Sequence, residues 1–246
     1  MKLKVCWMYH DIMDLYGDKG NIMVLEKRCH DRGIEITVDT LAIHDVCDLS
    51  TYDLLFLGGG ADKEQHMIIE DLLSRKENIQ KAMDEHTFIF LICGGYQLFG
   101  QYYIDAENRK IKGLEFFDYY TESRDDDRRC IGNIAIQCKL DDDEFMAVGF
   151  ENHGGQTRNV KHPLGKVLKG HGNNFEDGFE GYYDGKVLGT YMHGPLLPKN
   201  PKIADFIIYK ALLKNHPNLT FSELLPLDDT LENKAKNQML KRLEVL

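Results

Sequence analysis

The 246 residues are 43% hydrophobic and 28% charged, with 40 Asp and Glu against 30 Lys and Arg, for a formal net charge of −10. That balance excludes the concentrated basic surface a nucleic-acid partner requires, and it excludes a disordered chain. No apolar stretch is long enough to span a bilayer, and the six cysteines include no CxxC pair, so neither membrane insertion nor a metal site nor a redox dithiol is expected. The first residues carry early acidic side chains and too short an apolar run for a signal peptide, which points to a reduced, cytoplasmic protein.

In chain order, residues 3–8 read as a strand. The loop DIMDLYGDKGN then leads into a helix over 22–32, which Gly33 closes in the usual C-terminal position. Residues 34–41 and 52–57 are further strands, the second ending in Gly58, Gly59 and Gly60. A helical pattern over 67–85 precedes the apolar run 88–92, a strand covered on both faces. This alternation predicts an α/β fold, a mostly parallel central sheet with helices on both faces, in one domain over 1–246. The second half is richer in strands, at 112–120, 132–140, 147–150 and 186–191, joined by the acidic tracts ESRDDDRR and DDDE as exposed connections. Helices are expected from 203 through 213 and over 230–246.

Chemistry concentrates where the buried strands end. Cys93 follows the run 88–92 and precedes Gly94 and Gly95, which permit a sharp strand-to-helix turn with the thiol projecting at its apex. A helix N-terminus beside the thiol would favour the thiolate. The triple glycine after Leu57 ends a neighbouring strand, so N–H groups from the Gly59/Gly60 turn and from Gly94 can form an oxyanion hole. The triplet also suits a flexible loop or a phosphate cradle, but no Walker lysine follows it and the dinucleotide spacing is absent. A thiol nucleophile needs a base. His193, at a strand end before Gly194 and Pro195, is one candidate, and His153, before a glycine pair, is its rival. Arg129, at the edge of the strand CIGNIAIQ, presents a fork of donors for a carboxylate, and Arg128 is equally placed by composition.

The set LYGDKGN, LGGG, CGGYQ, YTES, GFENHGG and GTYMHGP, spread in this order over nearly the whole chain, resembles the class I glutamine amidotransferase superfamily in its cobyric-acid-synthase-like branch. Within that branch it is similar to small glutaminase subunits that serve a Mur-ligase-like (MurT-type) synthetase. The resemblance implies a flavodoxin-like three-layer sandwich and no cofactor. It implies Cys93 as nucleophile, His193 as base, Arg129 and Gln97 as the L-glutamine pocket, and Gly59 and Gly94 as oxyanion donors. It further implies that ammonia passes to the ATP-using partner, which amidates the D-glutamate of the lipid II stem peptide to D-isoglutamine. One departure stands out. The glutamate that many of these enzymes carry two residues after the histidine is Pro195 here, so either the dyad suffices or another acid, of this chain or of a partner subunit, orients His193. Two other classes remain open on the residues alone: a free-standing Cys hydrolase on the same sheet, and a non-catalytic module in which Cys93 is a relic.

Overall fold

The structure, a computed structural model, describes residues 1–123 and 128–246, so the middle of the ESRDDDRR connection lies outside the described residues. Its central sheet is built from β1 (Lys2–Met8), β2 (Glu35–Leu41), β3 (Leu54–Leu57) and β4 (Phe88–Ile92). The chain then runs through β5 (Tyr102–Ile104), β6 (Lys110–Lys112), β7 (Tyr120–Glu122), β8 (Cys130–Leu140), β9 (Asp143–His153), β10 (Gln156–Arg158), β11 (Gly165–Lys169), β12 (Phe179–Glu180), β13 (Tyr182–Tyr183) and β14 (Val187–Thr190). The helices are α1 (Lys19–Asp31), α2 (Asp62–Ser74), α3 (Lys76–Asp84), α4 (Gly94–Leu98), α5 (Pro201–Leu212) and α6 (Thr230–Arg242).

The central order is β13-β14-β4-β3-β1-β2, parallel throughout except for the edge strand β13. Every residue of β3 and β4 is buried, as expected of strands read as continuous apolar runs. Register does the positioning. Leu57 pairs with Leu91, and Thr190 pairs with Ile92. The glycine triplet, Cys93 and the segment leading to His193 therefore leave three adjacent strands at the same carboxyl edge, where parallel α/β sheets place their ligands.

Two smaller antiparallel-rich sheets, β10-β7-β5-β6 and β12-β11-β8-β9, carry the rest of the strands. The predicted helix over 67–85 is two helices, broken at Arg75 (φ −89°, ψ 0°), whose guanidinium turns inward to Asp71 at 2.6 Å. The predicted strand over 112–120 is a turn region between β6 and β7. There Glu115 has φ +58°, and Gly113 passes so close to the Gly100 carbonyl that a Cβ would lie 2.1 Å from it. Conversely, 147–150 is only the middle of β9, which pairs with β8 along an 11-residue ladder through the turn at Asp141 and Asp142. Among the described residues no helix is long and apolar enough to cross a membrane.

Candidate active site

Cys93 adopts φ 47°, ψ −103°, a conformation that a non-glycine residue holds only when its surroundings enforce it. The enforcement is visible: its N–H donates to the Thr190 carbonyl at 2.8 Å, and its carbonyl accepts from Gln97 N–H at 2.9 Å. The helix it opens, α4, is five residues long. The two glycine turns flanking the thiol admit no larger residue. A Cβ on Gly94 would lie 2.9 Å from the Gly60 carbonyl oxygen, and one on Gly59 would lie 2.8 Å from His193 Cε1 and 3.4 Å from Cys93 Cβ. Glycine at 59 is thus what lets the imidazole and the thiol approach over one strand end.

His193 is fully buried. Its N–H and carbonyl bridge to Phe150 of β9, at 2.7 and 3.3 Å, so the histidine is pinned between the central sheet and the β8–β9 hairpin. Asp18, also fully buried, lies beside it with Oδ1 3.6 Å from His193 Nδ1, an ion-pair separation rather than a hydrogen bond. Burial pushes the imidazole pKa down, yet the charge of a Cys93 thiolate and the Asp18 carboxylate outweigh it and raise it to about 10. Those two negative charges favour the imidazolium form of the ring. Tyr16, at φ +58°, lays its ring edge-on to His193 at 5.1 Å and accepts a hydrogen bond from Asn152.

The acid beside His193 is thus Asp18 rather than a residue following Gly194. It belongs to the YGDKGN loop, which packs directly on the histidine turn: a Cβ on Gly20 would meet Pro195 Cγ at 2.5 Å, and Asn21 Oδ1 accepts from Leu197 N–H at 2.9 Å. Its second oxygen accepts from Gly59 N–H at 2.7 Å. That bond corrects one expectation. Gly59 N–H is committed to a carboxylate and is not open to an oxyanion, which leaves Gly60 and Gly94 as the amides of the two touching turns.

His153 is buried as well, but it keeps other company. Its Nδ1 bonds the Gly155 carbonyl at 2.7 Å and its ring stacks on Tyr191 at 3.6 Å, 10° from parallel. Burial drives its pKa down to about 3, so it is neutral and held in the wall of the site. A cavity of 560 Å³ opens over Cys93, lined among others by Gly60, Gln65, Gln97, Arg129, His153 and Gly155. Arg129 sits at its mouth and donates to Asn152 Oδ1 at 3.1 Å. Arg128 lines the same cavity with its guanidinium 5.1 Å from the Phe175 ring centroid, so both candidate arginines reach it. Gln97 is buried in the floor. Among the described residues no group of three or more His, Cys, Asp or Glu is arranged to hold a metal ion.

A thiol at a strained strand end, an imidazolium beside it and a buried carboxylate behind it are the equipment of a thiol-dependent acyl-transfer enzyme on a parallel α/β sheet. Known proteins narrow that class. The chain belongs to the CobB/CobQ-like glutamine amidotransferase domain family, whose match covers residues 4–201. It is 39% identical over 217 residues (87% of this chain, 82% of the relative) to the lipid II isoglutaminyl synthase (glutamine-hydrolyzing) subunit GatD of Streptococcus pneumoniae. It is 37% identical over 239 residues (96% and 95%) to the GatD subunit of Staphylococcus aureus. A probable cobyric acid synthase of Methanocaldococcus jannaschii is 28% identical over 172 residues, covering 67% of this chain and 34% of that protein. A crystal structure of a glutamine amidotransferase superposes with a TM-score of 0.54 at 16% identity over 84% of this chain and 98% of that one, which speaks for the fold.

Proposed function

We propose that the chain is the glutaminase subunit of a lipid II isoglutaminyl synthase: it hydrolyses L-glutamine at Cys93 and hands ammonia to a Mur-ligase-like, ATP-using synthetase. That partner would convert the D-glutamate of the lipid II stem peptide to D-isoglutamine. The observation that carries the chemistry is the buried Cys93–His193–Asp18 arrangement, and the two GatD relatives, matched over most of their length, carry the assignment. The remaining expectations fit this reading: one flavodoxin-like three-layer domain, working in the cytoplasm.

In this mechanism the Cys93 thiolate attacks the side-chain carboxamide carbon, and the negative oxygen of the tetrahedral intermediate takes N–H bonds from Gly94 and Gly60. The His193 imidazolium gives its proton to the departing nitrogen, releasing ammonia and leaving a glutamyl thioester. Neutral His193 then removes a proton from water, the water oxygen attacks the thioester, and glutamate leaves with the thiol restored. Asp18 stabilises the charged imidazole through each cycle. Arg129 at the mouth holds the α-carboxylate, and its planar fork sets the reach of the amide toward Cys93. The test is a glutamate and ammonia assay on the full chain, alone and mixed with a Mur-ligase-like subunit, ATP and lipid II. Glutamate release with amidated lipid II in the mixture supports the proposal. Glutamate release that never yields amidated lipid II would reassign the partner, and no release under either condition would overturn the glutaminase itself.

A further inference from the structure

Gln65, buried on α2, spans the two glycine turns. Its Nε2 donates to the Gly60 carbonyl at 3.2 Å and to Gln97 Oε1 at 2.9 Å. A carbonyl oxygen only accepts, so the Gln65 atom facing Gly60 is its NH₂ group, and the Gln97 atom facing that NH₂ is in turn an oxygen. Gln97 is thereby turned so that its own NH₂ meets the Tyr191 hydroxyl at 3.1 Å. The Tyr191 hydroxyl also lies 2.6 Å from Thr157 Oγ1, which in turn lies 2.7 Å from Thr121 Oγ1. One acceptor-only group in the glycine turn thus fixes the orientation of two buried amides, Gln65 and Gln97. Gln65 Oε1 is left buried without a partner among the described residues, yet flipping the amide gives no relief: it would set two oxygens against each other at Gly60.

The consequence reaches the cavity. Gln97 Nε2 carries a second N–H, and this nitrogen lies 2.5 Å from where a Cβ on Gly155 would stand, at a wall that Gln97 and Gly155 share with Cys93. We propose that Gln65 is a positioning residue: it makes Gln97 present an N–H rather than a carbonyl to the cavity, so that this wall takes a carboxylate of the substrate and disfavours an ammonium. The assignment rests on the glutaminase reading and adds to Arg129 a second donor, Gln97, for the α-carboxylate of an amino-acid amide in the same cavity.

The experiment compares two alkylating agents on the full chain. 6-Diazo-5-oxonorleucine carries the amino-acid end of glutamine, and iodoacetamide does not. In Gln65→Met, which keeps the length but not the donor, and in Gln65→Glu, which at pH 8 offers acceptors instead, labelling of Cys93 by the diazo reagent is expected to fall about tenfold, the worth of one charge-assisted hydrogen bond. Labelling by iodoacetamide is expected to fall far less, and the KM for glutamine to rise by about the factor that the diazo labelling loses. Equal loss with both reagents would reduce Gln65 to a packing residue, and no loss with either would remove it from the site, so each result overturns the proposal. A wild-type chain that the diazo reagent does not label at all would instead sink the glutaminase reading, and this assignment with it.

Discussion

Two histidines of this chain stand at strand ends before glycine, both buried, and the fold shifts their pKa values in opposite directions. His193 faces a thiol and a carboxylate and is raised to about 10, whereas His153 is pressed against Tyr191, bonded to a carbonyl and lowered to about 3. Burial acts in the same direction on both. What separates them is whether the nearest polar groups carry negative charge, and those groups come from distant parts of the chain: Asp18 from the loop before α1, Cys93 from the end of β4. A histidine's role in such a site is thus decided by tertiary neighbours rather than by its local sequence, which is nearly the same in HGP and HGG.

The comparison breaks most visibly if its charged half is removed. Cys93→Ala is expected to lower glutamine turnover by roughly 10⁴-fold or more while far-UV circular dichroism stays unchanged, because the nucleophile is lost from a turn with little packing role. His193→Ala follows with a loss of roughly 10²–10⁴-fold in kcat, the usual contribution of a positioned acid–base group. His153→Phe keeps the stack on Tyr191 and is expected to leave kcat/KM within about threefold, at a cost of about 1–2 kcal/mol from the lost bond to Gly155, read as a drop in Tm. If His153→Phe abolished turnover and His193→Ala did not, the two roles would have to be exchanged.

Asp18→Asn sharpens the same contrast at intermediate size. Removing the carboxylate takes away one of the influences that raise His193, so its folded pKa moves down from about 10. The sign follows directly. Protonation of the departing nitrogen requires the imidazolium, so activity is present below the folded pKa and lost as pH rises through it. The alkaline limb of kcat should therefore shift to lower pH in Asp18→Asn, with roughly a 10²-fold fall near pH 8. An unshifted limb would mean that Asp18 serves only Gly59.

The smallest effect expected concerns Glu180, buried behind the site, where it accepts from Tyr191 N–H and Thr190 Oγ1. Burial raises its pKa from 4.5 to about 8 against those bonds. The folded state then holds a proton that the unfolded state has released, so this group costs stability as pH rises from about 4.5 to about 8. Glu180→Gln should gain stability over the natural chain as pH rises from about 4.5 to about 8, and be indistinguishable from it at pH 4. Thermal denaturation at the two pH values measures the difference, and equal Tm differences at both would refute it.

Much of this was legible from residues alone, and the exceptions share a cause. The parallel strands announce themselves as fully apolar runs, and Cys93 is marked by the glycines that its strained turn requires. Asp18 is different: GDKGN has the composition of an ordinary turn, and its place beside His193 exists only once α1 packs on the histidine turn 175 residues later. The one hint was steric, since Gly20 has to face Pro195. Gly59 shows the same limit: its place at the strand end is plain in the sequence, whereas the partner of its N–H, Asp18, is not. The strands of the two smaller sheets are two to five residues long in several cases, too short for alternation to register, and the region over 112–120 turns where a strand was expected because close backbone approach at Gly113 outweighs local pattern.

The measurement that bears most directly on the account is a ¹⁵N NMR titration of the imidazole nitrogens in the full chain, assigned with His193→Ala and His153→Phe. The account predicts that His193 stays protonated until the pH approaches about 10 and that His153 stays neutral down to about 3. A His193 that loses its proton at or below the ordinary histidine range near 6.5, with His153 titrating above it, would contradict the charged pair at the centre of the proposed chemistry.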